Sequence, residues 1–173
     1  MAFYDNTLVL SSAQAITTTA ASSVIYDVTG AGSGNAPSMT FGTSSNQIGA
    51  DIGVGQGAAE PGVLFTVTTN GTGTGTITFQ IQAAPDNGSN APGTYVTLSS
   101  SAAFVGTTLD VGDQIWLPIP PFALIEPGMD LPRFYRANYV QTGDGAVSVT
   151  AAILLNPPLG YVSTQYGGNF VAA

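Results

Sequence analysis

The chain has no cysteine, no histidine and no lysine in 173 residues. The first absence excludes disulfides, thiolate nucleophiles and cysteine-ligated zinc. The other two remove the commonest general base, the commonest metal ligand and every lysine Schiff base. Positive charge of any kind is scarce. Arg133 and Arg136 are the only cationic side chains, against ten carboxylates, for a net charge of −8. Nucleic-acid binding draws its affinity from phosphates neutralised by Lys and Arg, so the sequence predicts no nucleic-acid partner. An anionic membrane surface is disfavoured for the same reason. Charged residues make up 7% of the chain, far below the ~25% of ordinary globular proteins. Solubility must therefore rest on Thr, Ser, Asn, Gln and Gly, a surface suited to being covered by other copies or other chains. No apolar run approaches the ~20 residues that span a bilayer. The start, MAFYDNTLVLSS, lacks the basic stretch of a secretory signal. The expectation is a protein made in a cytoplasm and used there or in a particle assembled there.

What the chain does have is alternation. Leu131 to Asn156 contains two strand-like runs separated by Thr142-Gly143-Asp144-Gly145. In the first, Tyr135, Ala137 and Tyr139 share one face and Phe134, Arg136, Asn138 and Val140 the other. In the second, Val147, Val149, Ala151 and Ile153 alternate with Ser148, Thr150, Ala152 and Leu154. A period of two marks strands with one face toward a core, and an Asp-Gly pair between them is a strong hairpin signal. Val63 to Ala84 has the same form, with Asn70-Gly71 opening the turn and Ile77, Phe79, Ile81 and Ala83 on one face. Both segments therefore read as hairpins, and the first as the one against which the other strands pack. Further strands are expected at Thr7–Leu10, Val24–Val28, Thr94–Leu98 and Gln114–Leu117. Ser12–Ala15 reads as a short helical turn.

The 22 glycines and 11 prolines punctuate these runs rather than replace them. The sequence predicts a single all-β domain over residues 1–173, a jelly-roll-like β-sandwich of about eight strands. Three segments stand apart from it. Residues 30–62 form a long glycine-rich loop or insertion, beyond the ~12–15 residues usual for loops in compact domains. It reads as an arm, an interaction loop, or an insertion without a role. Residues 118–132 carry five prolines, which cannot donate to a sheet ladder. Residues 159–173 form a C-terminal arm in which Tyr161, Tyr166 and Phe170 are candidate docking residues, as exposed aromatics often are.

Candidate chemistry is thin. Asp110 and Asp113 sit three apart in a glycine-containing turn and could in principle serve glycoside hydrolysis, but Asp in a turn more often caps backbone amides. Asp86-Asn87-Gly88 and Gly143-Asp144-Gly145 also read as turns, and no spacing matches a calcium loop. Gly71–Gly75, GTGTG, lacks the lysine and the following helix of a phosphate-binding loop. Arg133 and Arg136 lie three apart, which on a strand sends them to opposite faces. One or both are expected in an ion pair, within the chain or with a neighbouring subunit. No enzyme activity, cofactor or metal is predicted.

Four segments in order, AQAITTTAASSVIYDVTG (13–30), GADIGVG (49–55), TITFQIQAAPDNG (76–88) and LPRFYRANYVQTGDGAVSVTAAIL (131–154), resemble the capsid cement, or decoration, proteins of tailed bacteriophages. The resemblance implies a jelly-roll-like fold and a non-enzymatic role on the outer capsid surface of the virion. Homodimers or homotrimers would there clamp neighbouring copies of the major capsid protein. Residues 31–48 and the proline-rich run depart from the family's usual length. A rival expectation is a carbohydrate-binding or receptor-binding β-sandwich, which calls for exposed aromatics clustered on one concave face.

Overall fold

The computed structural model describes residues 8–28, 61–120 and 132–154, together with the backbone of 38–41 and 44–47. The strands are β1 (Val9–Ile16), β2 (Ala20–Ala21), β3 (Tyr26–Asp27), β4 (Ser38–Phe41), β5 (Ser44–Gln47), β6 (Gly62–Thr72), β7 (Thr76–Ala84), β8 (Val96–Ser100), β9 (Phe104–Val105), β10 (Gln114–Pro118), β11 (Phe134–Thr142) and β12 (Ala146–Leu154). A four-stranded sheet runs β1-β12-β6-β10. A six-stranded sheet runs β2-β11-β7-β8, with β3 also beside β11 and β9 beside β7. All pairings are antiparallel, and β4 and β5 form a separate two-stranded unit.

The pairs β2–β3 and β8–β9 are each one broken strand along the same neighbour. Counted so, the two sheets hold eight strands, in sequence orders 1-8-3-6 and 2-7-4-5. That is jelly-roll topology, two Greek keys wrapped into a sandwich.

The two expected hairpins are not hairpins. β11 and β12 lie in different sheets, as do β6 and β7. Each turn is an arch that carries the chain from one layer to the other. Alternation correctly marks which face of each strand is buried, but it is silent on which strand pairs with which. Phe65, Val67, Ile77, Phe79, Ile81, Tyr135, Ala137, Tyr139, Val147, Val149, Ala151 and Ile153 all point between the layers. At the centre Phe65, Phe79 and Tyr139 pack with ring centroids 5.1–6.0 Å apart, Tyr139 edge-on to both. Such pairs contribute ~0.5–1.5 kcal/mol each beyond burial.

The two arches stack side by side. Thr76 pairs with Thr142 and Thr72 with Ala146, which brings Gly73–Gly75 against Thr142–Gly145. A Cβ on Gly75 would lie 2.0 Å from the Thr142 carbonyl oxygen, and one on Gly73 2.1 Å from that of Asp144. The GTGTG run is glycine-rich because two backbones meet there.

Ser12–Ala15 is not helical. It belongs to β1, whose register against β12 slips between Val9 and Ser11 and again between Ser11 and Gln14. Ala13 takes up the second slip with φ of 46°, and its N–H donates to Thr150 Oγ1. The freed Gln14 side chain accepts from Ser11 Oγ and the Ser23 N–H and donates to the Ala21 carbonyl. It thereby ties one lateral edge of the sandwich together. Val24–Val28 likewise narrows to the two residues of β3, because the Ser22 and Val24 amides bond Ala137 and Leu10 on opposite layers.

Candidate functional site

The jelly roll has two unlike ends. The strand registers place residues 17–19, 73–75, 106–113 and 143–145 at one end, where all four links cross between layers. At the other end lie the start of β1, the end of β3, the start of β6, the β7–β8 loop, the end of β10, the start of β11 and the end of β12. Every segment that sequence reading set apart is therefore rooted at this second end: 30–62 before β6, 118–132 between β10 and β11, and the arm after β12.

Arg133 organises that end. It directly precedes β11, with its N–H on the Ala84 carbonyl and its own carbonyl accepting from Val28. Its guanidinium makes a two-pronged contact with Asp27, Nε to Oδ1 and Nη2 to Oδ2, both 2.9 Å. Nη1 bonds Asp86 Oδ2, and at 2.9 Å Asn90 Oδ1. Asp27 is 1% exposed, so it requires this partner: a buried charge left alone costs several kcal/mol. The hydrogen bonds with Asp27 outweigh burial and hold the guanidinium above its ordinary pKa. The planar group also lies over Phe134, 4.9 Å from the ring centroid. It covers an apolar residue on the side of the sheet facing away from the core.

The β7–β8 loop is fixed by the same residue. Asp86 Oδ1 accepts from the Gly88 and Asn90 amides, and Asn87 Oδ1 from Ser89. These are Asx-type turns, closed by Asn87 N–H to the Ala91 carbonyl and Gly93 N–H to the Pro85 carbonyl. One guanidinium thus joins the end of β3, the end of β7 and the start of β11.

Arg136 does a different job. It lies on the outer face of the six-stranded sheet, 3.6 Å over the Tyr95 ring. Both Nε and Nη2 donate to Gln82 Oε1. Burial raises the Tyr95 phenol above its ordinary value, and the Arg136 charge opposes it. The two arginines therefore do not point to opposite faces. Arg133 stands at the strand end, where its long side chain folds back to the side that carries Phe134 and Arg136. Around Arg136 the face is a polar ladder, with Asn138 on Gln80 and Gln82 on Thr97.

The remaining candidates are turn residues. Asp113 Oδ2 accepts from the Asp110 N–H, and the Asp113 N–H donates to the Asp110 carbonyl. The pair closes the turn before β10. Asp144 Oδ1 accepts from the Thr74 and Gly75 amides and the Thr74 hydroxyl. Its pKa is lowered, chiefly by the Gly75 amide. Two of the GTGTG amides, Thr74 and Gly75, are thus already occupied by a carboxylate of this chain, and the Gly71 amide by the Leu109 carbonyl. Among the described residues no group of three His, Cys, Asp or Glu is placed to hold a metal ion. Tyr161, Tyr166 and Phe170 lie outside the described residues.

Sequence reading missed Asp27, Asp86, Asn90, Gln82 and Tyr95 as arginine partners. Asp27 carried a signal, since a carboxylate inside an apolar strand pattern needs a cation. Nothing local said that the cation lay 106 positions away.

Fold and site together define a two-layer jelly-roll β-sandwich whose long connections are gathered at one end, around an arginine clamp. The chain belongs to the Bbp16 family, whose model matches residues 10–153. No curated protein matches it.

Proposed function

We propose that this protein is a structural component of a phage head. It would bind the outside of the assembled capsid as an oligomer and cement neighbouring copies of the major capsid protein. The observation that carries this reading is the polarity of the sandwich. One end is closed by short glycine-rich arches. The other collects the long connections and the arm, and Arg133 ties its strand ends together. A chain with this layout offers several reaching segments on one rigid base. Affinity would come from many small contacts summed over copies and from edge strands that extend a neighbour's sheet. The resemblance of residues 13–30, 49–55, 76–88 and 131–154 to phage decoration proteins supports the same reading, and the jelly roll is an architecture found in viral capsid domains.

The glycan-binding alternative gains no support from the described aromatics. Tyr26, Phe65, Phe79, Trp116, Phe134, Tyr135 and Tyr139 are buried, and the two half-buried ones stand apart, Tyr95 under Arg136 on the outer face and Phe104 against the core. Purified mature particles test the proposal. The protein should be present at a fixed copy number, and particles lacking it should lose their DNA at lower temperature. Particles that never contain it, or that are equally heat-stable without it, would overturn the reading.

A further inference from the structure

The two lateral edges of the sandwich are finished differently. On one, the Gln14 side chain and the Ser22–Val24 backbone lace β1 to the strand formed by β2 and β3. On the other, β10 faces β8 and β9 with one side-chain bridge among the described residues, Ser99 Oγ to the Pro118 carbonyl. Between β10, β9 and the turn at Thr108–Leu109 an open groove of about 280 Å³ is lined by Phe104, Leu109, Ile115 and Trp116, with Asp113 and Gln114 at its rim. Val105 and Val111, the large exposed apolar residues of the described chain, lie beside it in sequence.

The register tells which backbone groups of β10 are free. The Asp113 carbonyl accepts from Val67, and the Ile119 N–H donates to Pro61. In an antiparallel ladder, hydrogen-bonded pairs alternate with non-bonded ones. Ile115 and Leu117 therefore bond β6, whereas the N–H and C=O of Gln114 and Trp116 point away from it. No described strand pairs with that side. β10 carries no charge and has proline only at its last position, so it lacks the features that usually protect an edge.

We propose that Tyr161–Tyr166 of a second copy of this chain adds to β10 as an antiparallel strand, with its apolar side chains in the groove. The proposal rests on the multi-copy reading above. The segment YVSTQY is one residue longer than β10, is uncharged, alternates Val162, Thr164 and Tyr166 with Tyr161, Ser163 and Gln165, and is bounded by Gly160 and Gly167. Its neutrality matters, because two chains of net charge −8 repel each other elsewhere. A second copy is favoured over the chain's own arm by topology. The arm starts after Leu154, and Gly62 and Pro118 lie between Leu154 and the free edge. An arm reaching its own β10 would cross the connections that enter β6 and leave β10 on the same end of the sheet, which sheet proteins avoid.

The absence of native cysteine makes the test clean. Chains carrying only Gln114→Cys are mixed with chains carrying only Thr164→Cys and oxidised. The expected product is a covalent heterodimer on a non-reducing gel. In addition, the Gln114 and Trp116 amides should exchange at least tenfold faster in a chain lacking residues 159–173, with Ile115 and Leu117 unchanged. Closure within a single chain carrying both cysteines, without the heterodimer, overturns the proposal, as do unchanged Gln114 and Trp116 amides. Head binding is scored separately. A heterodimer that forms in a protein absent from particles would sink the capsid reading and leave this one standing.

Discussion

The two ends of this sandwich are built on opposite principles. At the closed end backbone packs on backbone. Gly71, Gly73, Gly75 and Gly106 each leave no room for a Cβ, their closest contacts being carbonyl oxygens at 2.0–2.1 Å from where it would stand. At the open end side chains do the joining, through one arginine and its oxygen partners on two other segments, the end of β3 and the β7–β8 loop. A backbone seam tolerates almost no sequence change and has little surface chemistry to offer. A side-chain clamp fixes the roots of long segments while leaving those segments free to be selected for what they touch. The difference explains why a chain so poor in charge places one of its two arginines at the base of its connections.

Breaking the closed end should have the largest effect. Gly75→Ala forces a methyl into the Thr142 carbonyl of the neighbouring arch. The expected loss is about 4 kcal/mol, at the severe end of single-substitution effects, read as a fall in the denaturant midpoint. Next is the open end. Arg133→Met leaves Asp27 buried without its cation and should cost about 3 kcal/mol. The loss should be accompanied by faster proteolysis within residues 85–95 and no change in exchange at 143–145. Equal loosening of both ends would mean that the clamp is not local.

Between the ends, Tyr139 Oη donates to Ser11 Oγ at 2.8 Å in the core, and burial pushes its phenol far above the ordinary range. Tyr139→Phe should cost about 1 kcal/mol, the usual net value of one such bond, with both ends unaffected. The smallest effect belongs to Asp144. Its pKa is lower folded than unfolded, so in the window between the two the unfolded chain binds more protons. Its contribution is present above the ordinary carboxylate value and is lost as pH falls through the folded one. Asp144→Asn should therefore lower stability slightly at neutral pH, converge with the unsubstituted protein at low pH, and so flatten the acid limb of a stability-versus-pH curve.

Much of the fold was legible. The alternation of β7, β11 and β12 identified their buried faces, because side-chain parity is a local property. The sandwich and its strand count followed. Pairing was not legible: Asp144-Gly145 is a good turn former whether the chain folds back within a sheet or crosses to the other layer, and Asn70-Gly71, which reads as the start of a turn, belongs to β6, the crossing being made by residues 73–75. The bulge at Ala13 was hidden because a strand with an extra residue loses its period of two. Of the candidate site, the two arginines were visible as rare charges. Their partners were not, since Asp27 and Asp86 reach Arg133 only through the packing of three separate strands.

The account stands or falls on which end meets the partner. Hydrogen exchange of the protein bound to heads, compared with the free protein, measures this directly. The prediction is slowed exchange through 28–61, 85–95 and 119–133, with residues 73–75, 106–113 and 143–145 unchanged. Protection centred on the glycine arches, or no retention on heads at all, would contradict it.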